Sequence, residues 1–398
     1  MSKWKLMEQT ITKSDRIKMA SFVLSADQFT NGKKVKEFEK AWSKWLGCKY
    51  SLFVSSGSTA NFLLVAAIKE KYNLKNGDKV IVPACTWVTN VGPIIQLGLQ
   101  PIFCDVNMKN YSFDIEHLKE IKKEHKDIKM IFVTHLLGFP AENHLYKEIF
   151  PKAIIIDDVC ESHGCLDING NKVGSDSLGA TFSFYFGHHM TTVEGGMVST
   201  NDPELYDLMK VKRSHGMARE SINYEKYASQ YPNIHRSFLF ITDGYNFRNH
   251  EICAVLGLAQ PKRLNKMIKK RQDNYSMFLD IIKQHSDLFY VPKDDAGNSS
   301  FCFPIVSYKK EIYNKLIELL EKNNVEHRPI VSGNLLVHPF LKEYKMNKKD
   351  SNATTLNNNG VYLGNNHFIG KKELALLEKI MTAIANDKPK GLATKEKE

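Results

Sequence analysis

Histidine is the side chain whose unperturbed pKa lies nearest neutrality, so adjacent histidines in a turn are a natural place to look for proton transfer. They occur in "SFYFGHHMTTVEGGMVST", residues 183–200, where Ser183 and His188 lie at and just beyond the end of a β-rich run and His189 follows. An extended chain sends neighbouring side chains to opposite faces, so His188 and His189 are expected to diverge and to make poor joint ligands of one metal. His163 beside Cys165 is a weaker metal candidate still, and no metal site is expected. A second stretch, "AIIIDDVCESHG", puts Asp157 and Asp158 at the C-terminal end of an apolar run, where open α/β sheets form their ligand crevice. A carboxylate there can pair with a buried cationic ring nitrogen, or serve as a helix cap or surface ion-pair partner.

Four more stretches carry unusual residue types. "SSGSTAN", residues 55–61, follows a strand-like run and opens a helix. Gly57 permits close backbone approach, and the helix N-terminus offers free N–H groups to an anion. The plainer reading is a turn capped by Ser58 or Thr59. In "PACTWVTN", Trp87 follows a buried strand and can stack on a flat ligand or simply pack in the core. "GYNFR", residues 244–248, precedes a small-residue helix and is not explained by helix chemistry. In "HRPIVSGN", Arg328 is suited to bidentate binding of carboxylate or phosphate, or to a surface ion pair.

Positioning these groups requires a substantial scaffold. The chain has 398 residues, enough for two or three domains, with 42% hydrophobic and 25% charged residues as in ordinary globular proteins. Residues 15–47 read as helical, with Gly47 as C-cap. Seven β-rich runs then alternate with helical stretches: "YSLFVSS", "KVIVPAC", "PIFCDV", "KMIFVTHL", "AIIIDDV", "ATFSFYF" and "GGMVST". Several are apolar throughout, as in a parallel sheet covered on both faces. From about residue 255 the pattern shifts to a long helix entered or kinked at Pro261, then a smaller α+β unit, with "SNATTLNNNG" as a polar loop. The expected division is an N-terminal arm at 1–30, a large domain at 31–255, a small C-terminal domain at 256–385 and a disordered tail at 386–398.

The formal net charge is +11, partly from the basic tail and otherwise scattered, which favours anionic metabolites without any nucleic-acid-binding pattern. The N-terminal stretch lacks an apolar signal region, and no apolar run approaches the ~18 residues of a membrane span. Seven dispersed cysteines make neither a disulfide framework nor a metal knuckle, and a reduced, cytoplasmic protein is expected.

Taken in order, these motifs resemble those of the DegT/StrS-type sugar aminotransferases over about residues 25 to 370. The resemblance implies an α/β type I aminotransferase fold, with a mostly parallel seven-stranded sheet in the large domain and a smaller α+β C-terminal domain. It implies pyridoxal 5'-phosphate or pyridoxamine 5'-phosphate as cofactor. Gly57, Ser58 and Ser183 would hold the phosphate, Trp87 would cover the ring, and Asp158 would keep the ring nitrogen protonated. Glu161 stands where the family commonly has Gln facing the ring hydroxyl. Asn246 would reach the phosphate of a neighbouring subunit, so a homodimer with shared active sites is expected. His215, Arg219 and Arg328 would meet the substrates.

The chain departs from the family where the Schiff-base lysine belongs, because His188 stands there and the only lysine between 166 and 200 is Lys172, upstream of the strand. That substitution resembles the branch that removes the C3 hydroxyl of nucleotide-linked 4-keto-6-deoxysugars with non-covalently held pyridoxamine phosphate. The substrates implied are L-glutamate and GDP-4-keto-6-deoxy-D-mannose, and the context is colitose and surface polysaccharide formation. The iron–sulfur subgroup is disfavoured, since only Cys253 and Cys302 follow His188. An aminotransferase with unusual cofactor attachment, or a non-catalytic nucleotide-sugar binder, are the competing readings.

Overall fold

The computed structural model describes residues 3–294, 297–348 and 350–387. In chain order the elements are α1 (Lys13–Ser25), α2 (Lys33–Leu46), β1 (Tyr50–Val54), α3 (Gly57–Lys71), β2 (Lys79–Pro83), α4 (Gly92–Gln96), β3 (Gln100–Cys104), α5 (Ile115–Glu124), β4 (Ile128–Thr134), α6 (Asn143–Ile149), β5 (Ile154–Asp158), β6 (Ala180–Ser183) and β7 (Gly196–Thr200). They continue as α7 (Pro203–Arg213), α8 (Tyr224–Gln230), α9 (Glu251–Ala259), α10 (Pro261–Gln284), β8 (Cys302–Val306), α11 (Lys310–Lys322), β9 (His327–Pro329), α12 (Asn352–Asn359), β10 (Gly360–Gly364) and α13 (Lys371–Asn386).

All seven runs read as strands join one sheet, in the order β1–β7–β6–β5–β4–β2–β3. β2 to β6 pair in parallel, and β7 runs antiparallel to its neighbours β1 and β6. Their side chains are buried on both faces, which is why the runs lack polar alternation. Parallel pairing brings the C-terminal ends of β4, β5 and β6 to one edge, so Thr134, Asp158 and Ser183 lie together.

The second sheet, β8–β10–β9, is antiparallel. It shares a core with α10, α11 and α13, built from residues such as Phe278, Leu316, Phe303 and Leu377. Trp4 and Leu6 of the N-terminal arm belong to this core, and the Trp4 indole N–H donates to the Gly364 carbonyl at 3.0 Å. Pro261 occupies the first turn of α10, where its missing N–H costs nothing.

Two expectations are corrected. Residues 15–47 are helical up to the Gly47 C-cap except at 26–32, which separate two helices. α1 begins on a Thr12–Asp15 capping box, and α2 restarts after Gly32. Gly32 has no side chain to cap α2, and Glu251 of α9 does so instead, accepting from the N–H groups of Gly32, Lys34 and Val35. The polar segment "SNATTLNNNG" forms α12 rather than a loop. Ser351 caps it, and the buried Asp105 carboxylate accepts from Ser351 Oγ and from the N–H groups of Asn352 and Ala353. That tertiary anchor outweighs the poor helix propensity of asparagine and threonine. Of the expected tail at 386–398, Asn386 ends α13 and residues 388–398 lie outside the described residues. No described helix is long and apolar enough to cross a membrane.

Candidate active site

Asp158 ends β5 and points its carboxylate into a polar cradle. Asn61 and Asn90 donate to Oδ2 at 2.8 and 3.0 Å, and the Cys160 N–H donates to Oδ1 at 2.8 Å. None of these partners is a cation, so the negative charge of Asp158 is oriented without being neutralised. Asp157, one residue earlier, faces the other way and is closed off. Burial raises its carboxyl, but His135, Ser177 and Asn143 bond it and hold it below its ordinary value. Asp158 is thus the acid free to meet a ligand.

The β1–α3 turn lies beside it. Ser56, not Ser58 or Thr59, is the N-cap, and its side chain accepts from the Thr59 N–H. The first-turn N–H groups of Gly57 and Ser58 have no acceptor within the helix, which leaves them to an anion. A side chain at Gly57 would place Cβ 2.6 Å from Ser183 Cβ and 3.2 Å from Cys160 Sγ. Gly196 is pressed as closely, with its notional Cβ 2.2 Å from the Ser56 carbonyl oxygen. Glycine in "SSGS" and in "EGG" therefore lets β6, β7 and this turn pack closely, with Ser183 beside the free N–H groups of the helix start.

His188 sits in the turn after β6, where its N–H donates to the Tyr185 carbonyl at 3.1 Å. Because this segment is a turn and not a strand, His188 and His189 do not diverge as expected. Both rings approach His163, at centroid distances of 6.1 and 5.4 Å, and both contact Phe301. His189 is fully buried and its Nε2 meets the Ser299 carbonyl at 3.1 Å. Among the described residues no group of three His, Cys, Asp or Glu side chains is arranged to hold a metal. Burial, with help from the Arg271 guanidinium, depresses the His188 imidazole to about 4. Its Nδ1 is enclosed and unpartnered, which leaves Nε2 as the nitrogen open to exchange a proton. Lys172 is no substitute amine, since its ammonium donates to the Trp45 carbonyl at 2.7 Å and lies over the Trp45 ring.

Glu161 completes the wall. Burial pushes its carboxyl up to about 7, the Asp158 charge adds to this, and the Leu137 N–H, donating at 3.0 Å, partly offsets it. The group is poised to hold or release a proton near neutrality. Trp87 is 56% exposed at the mouth, unusual for an indole unless a flat partner covers it. Arg328 pairs in register with Tyr362, whose buried hydroxyl lies near Glu161.

The DegT/DnrJ/EryC1/StrS aminotransferase family profile matches residues 10–380. The chain belongs to this family. A curated relative, the GDP-4-keto-6-deoxy-D-mannose 3-dehydratase of Escherichia coli O55:H7, is 36% identical over 90% of this chain and 94% of its own. A solved structure of E. coli GDP-4-keto-6-deoxy-D-mannose-3-dehydratase with bound hydrated pyridoxal phosphate superposes with a TM-score of 0.88. It is 33% identical, over 95% of this chain and 99% of that one. A second structure of such a dehydratase, holding a trapped pyridoxal phosphate–glutamate geminal diamine, gives 0.86 at 33% identity, over 95% of this chain and 100% of that one. The α/β type I aminotransferase fold follows directly. The family's cofactor fits what the residues offer: unpaired first-turn N–H groups at Gly57 and Ser58, an uncompensated carboxylate at Asp158, and an uncovered indole at Trp87.

Within one chain the expected residues fall into two groups. Gly57, Asp158, Glu161 and Ser183 lie at the sheet edge with Ser58 and Trp87 on the adjoining turns, and Tyr362 links that edge to Arg328 and to the cavity of His188. The other three engage different surroundings. His215 meets Arg248 at 3.2 Å, Asn246 accepts from Arg248 Nε at 2.9 Å, and Arg219 is exposed beside a groove lined by Lys36, Lys40 and Lys210. Asn61, Asn90, Tyr362 and Arg271 are additions from the structure. The two asparagines were visible as the last residues of "SSGSTAN" and "PACTWVTN". Arg271 lies at helical spacing from Leu264, Ile268, Tyr275 and Phe278, all buried, so its position on an apolar face was readable too.

Proposed function

We propose that this protein is a pyridoxamine phosphate-dependent 3-dehydratase acting on a nucleotide-linked 4-keto-6-deoxysugar, GDP-4-keto-6-deoxy-D-mannose, with L-glutamate as second substrate. The observation that carries the reading is His188, an imidazole with an open nitrogen beside an otherwise intact cofactor cradle, where the family's covalent lysine is absent. When bound, the cofactor supplies an amine able to condense with a 4-keto group and a ring able to accept electrons from the adjoining carbon. Asp158 holds the proton on the ring nitrogen, and Trp87 excludes water from one ring face. The Gly57 and Ser58 N–H groups, with the Ser58 and Ser183 hydroxyls, anchor the phosphate. With the cofactor bound, His188 Nε2 would take up the proton of the carbon that bears the cofactor's amine and would deliver it to the C3 hydroxyl, which leaves as water. Because that imidazolium is held in a site that disfavours it, it is a strong acid and returns its proton readily. Glu161 faces the ring hydroxyl, and Arg328 meets the glutamate carboxylate or the sugar diphosphate. Overall, sugar and glutamate give the 3-deoxy-4-keto sugar, 2-oxoglutarate and ammonia.

The active unit in this reading is a homodimer. Asn246 reaches the partner's phosphate site, and His215 and Arg219 contact substrate. The chain divides into an arm at 1–30, a large domain at 31–255 and a small domain at 256–385, and works in the cytoplasm in colitose and surface polysaccharide formation. Mass spectrometry of the product formed from GDP-4-keto-6-deoxymannose, pyridoxal phosphate and glutamate tests this. A product lighter by one oxygen, with ammonia released, is expected. An amino sugar without free ammonia would identify an aminotransferase instead.

A further inference from the structure

The α10 residue Arg271 is only 3% exposed. Its guanidinium donates through Nη1 to the carbonyls of Ser300, Phe301 and Asn365, and its Nε has no partner. No carboxylate among the described residues pairs with it. Buried arginines are ordinarily matched by an anion, because an isolated charge in a low-dielectric interior is costly. Arg271 and His188 line the same small cavity, together with Phe301 and Tyr362. The 299–301 segment ties them together. Its Phe301 carbonyl takes the guanidinium, its Phe301 ring lies 5.6 Å from the His188 ring, and its Ser299 carbonyl holds His189.

We propose that Arg271 is a positioning residue for the reaction: its buried, anion-free guanidinium fixes a positive charge beside His188, so that the imidazole meets the cofactor and sugar as a neutral base. The inference rests on His188 being the proton carrier. The other groups around His188 do not compete for this role. His163 and His189 are fully buried, and burial, with Arg271 adding to it, keeps both neutral. His163 lies parallel to the Phe182 and Phe184 rings with neither nitrogen partnered. Burial raises Tyr362 and the Cys302 thiol, so both are uncharged. Glu8 of the arm reaches the same cavity, but Lys5 pairs with it at 3.2 Å. Tyr185 is the remaining neighbour, on the exposed side. Among the described residues Arg271 is therefore the one cation lining the His188 cavity, and it is buried there without a carboxylate partner.

The test is a proton NMR titration of ring-labelled histidine in cofactor-free protein, with His188 assigned through His188→Asn. In the unaltered protein His188 should titrate below pH 5. Arg271→Gln keeps amide donors for the carbonyls but removes the charge, and should raise the His188 value by about one unit or more toward its ordinary 6.5. Arg271→Lys should leave it near the unaltered value. In the loaded enzyme, the acid limb of turnover should move up in pH by the same amount for Arg271→Gln alone. An unshifted His188 in folded Arg271→Gln would overturn the proposal. Should that variant not fold, a His188 value of 6 or above in the unaltered protein would overturn it equally. These readouts need no substrate, so a failure of Arg271 is distinguishable from a wrong sugar or reaction, which product analysis reports.

Discussion

At the β1 edge, Arg213 and Glu39 are both buried and meet at 2.7 Å, while Phe53 bonds each of them through its carbonyl and N–H. Beside His188, Arg271 is buried as deeply, yet only carbonyl dipoles face it. The same contrast recurs among the carboxylates. Glu251 and Asp105 each accept three hydrogen bonds at a helix N-terminus, whereas Glu161 accepts one and is pushed up to about 7. Away from the site, buried charge is matched, and it contributes to stability. At the site, charge is left partly unmatched, and the imbalance acts on protons instead. Unmatched buried groups lower the stability of any fold, and several lie on this wall, where His163 is unpartnered at both nitrogens, as at a candidate functional surface.

The contrast can be broken first at His188. His188→Asn removes the base but no structural bond, since only its backbone N–H is engaged. Turnover should fall ~100- to 10,000-fold while cofactor binding and thermal midpoint hold. Undiminished turnover would remove His188 from the chemistry. The complementary change is Arg213→Met, which strands the Glu39 carboxylate in the interior. Loss of one partner of a buried pair typically costs ~3–5 kcal/mol, and denaturant unfolding should show it. Residual folded enzyme should turn over at an ordinary rate per bound cofactor, because Arg213 touches neither Asp158 nor His188.

Much of this organisation was legible beforehand, and the reason is physical. Strands buried on both faces must be apolar throughout, so all seven announced themselves, and the turn at "SSGS" and the acid pair after "AIII" fell where such sheets place ligands. What was not legible depended on contacts distant in sequence. α12 is helical because Asp105, some 250 residues earlier, caps it. α2 restarts at Gly32 because Glu251 supplies the cap that glycine lacks. The shared orientation of His188 and His189 follows from a turn whose shape is fixed by packing against His163 and Phe301. Arg271 was readable from spacing on α10, but a basic run "KKRQDN" reads first as solvated surface.

Glu161 offers a pH-dependent version of the comparison. Its folded value, about 7, lies above its ordinary 4.5, so the folded state binds that proton more tightly. The stability it contributes is fully present below about 4.5 and is lost as pH rises through about 7. At ~1.4 kcal/mol per unit, the loss is on the order of 3 kcal/mol. Glu161→Gln has no proton to lose, so cofactor-free variant and parent should diverge in unfolding free energy between about pH 4.5 and 7, the variant holding its stability. Parallel pH profiles for the two would show that Glu161 ionises as freely folded as unfolded.

The matched side of the comparison yields a smaller and more local effect at Asp105. Asp105→Asn turns one acceptor oxygen into a donor facing Ser351 Oγ and the first N–H groups of α12. A lost helix cap costs ~1–2 kcal/mol. α12 is short and poor in helix-forming residues, so that loss should be spent on opening α12 itself rather than on unfolding the whole chain. Hydrogen exchange should quicken across residues 353–359 while the β5 and β6 amides beside Asp158 keep their protection. Uniform quickening of both regions would mean that α12 is not separable from the sheet that carries the site, and that the Asp105 bonds support the active site as well as the helix.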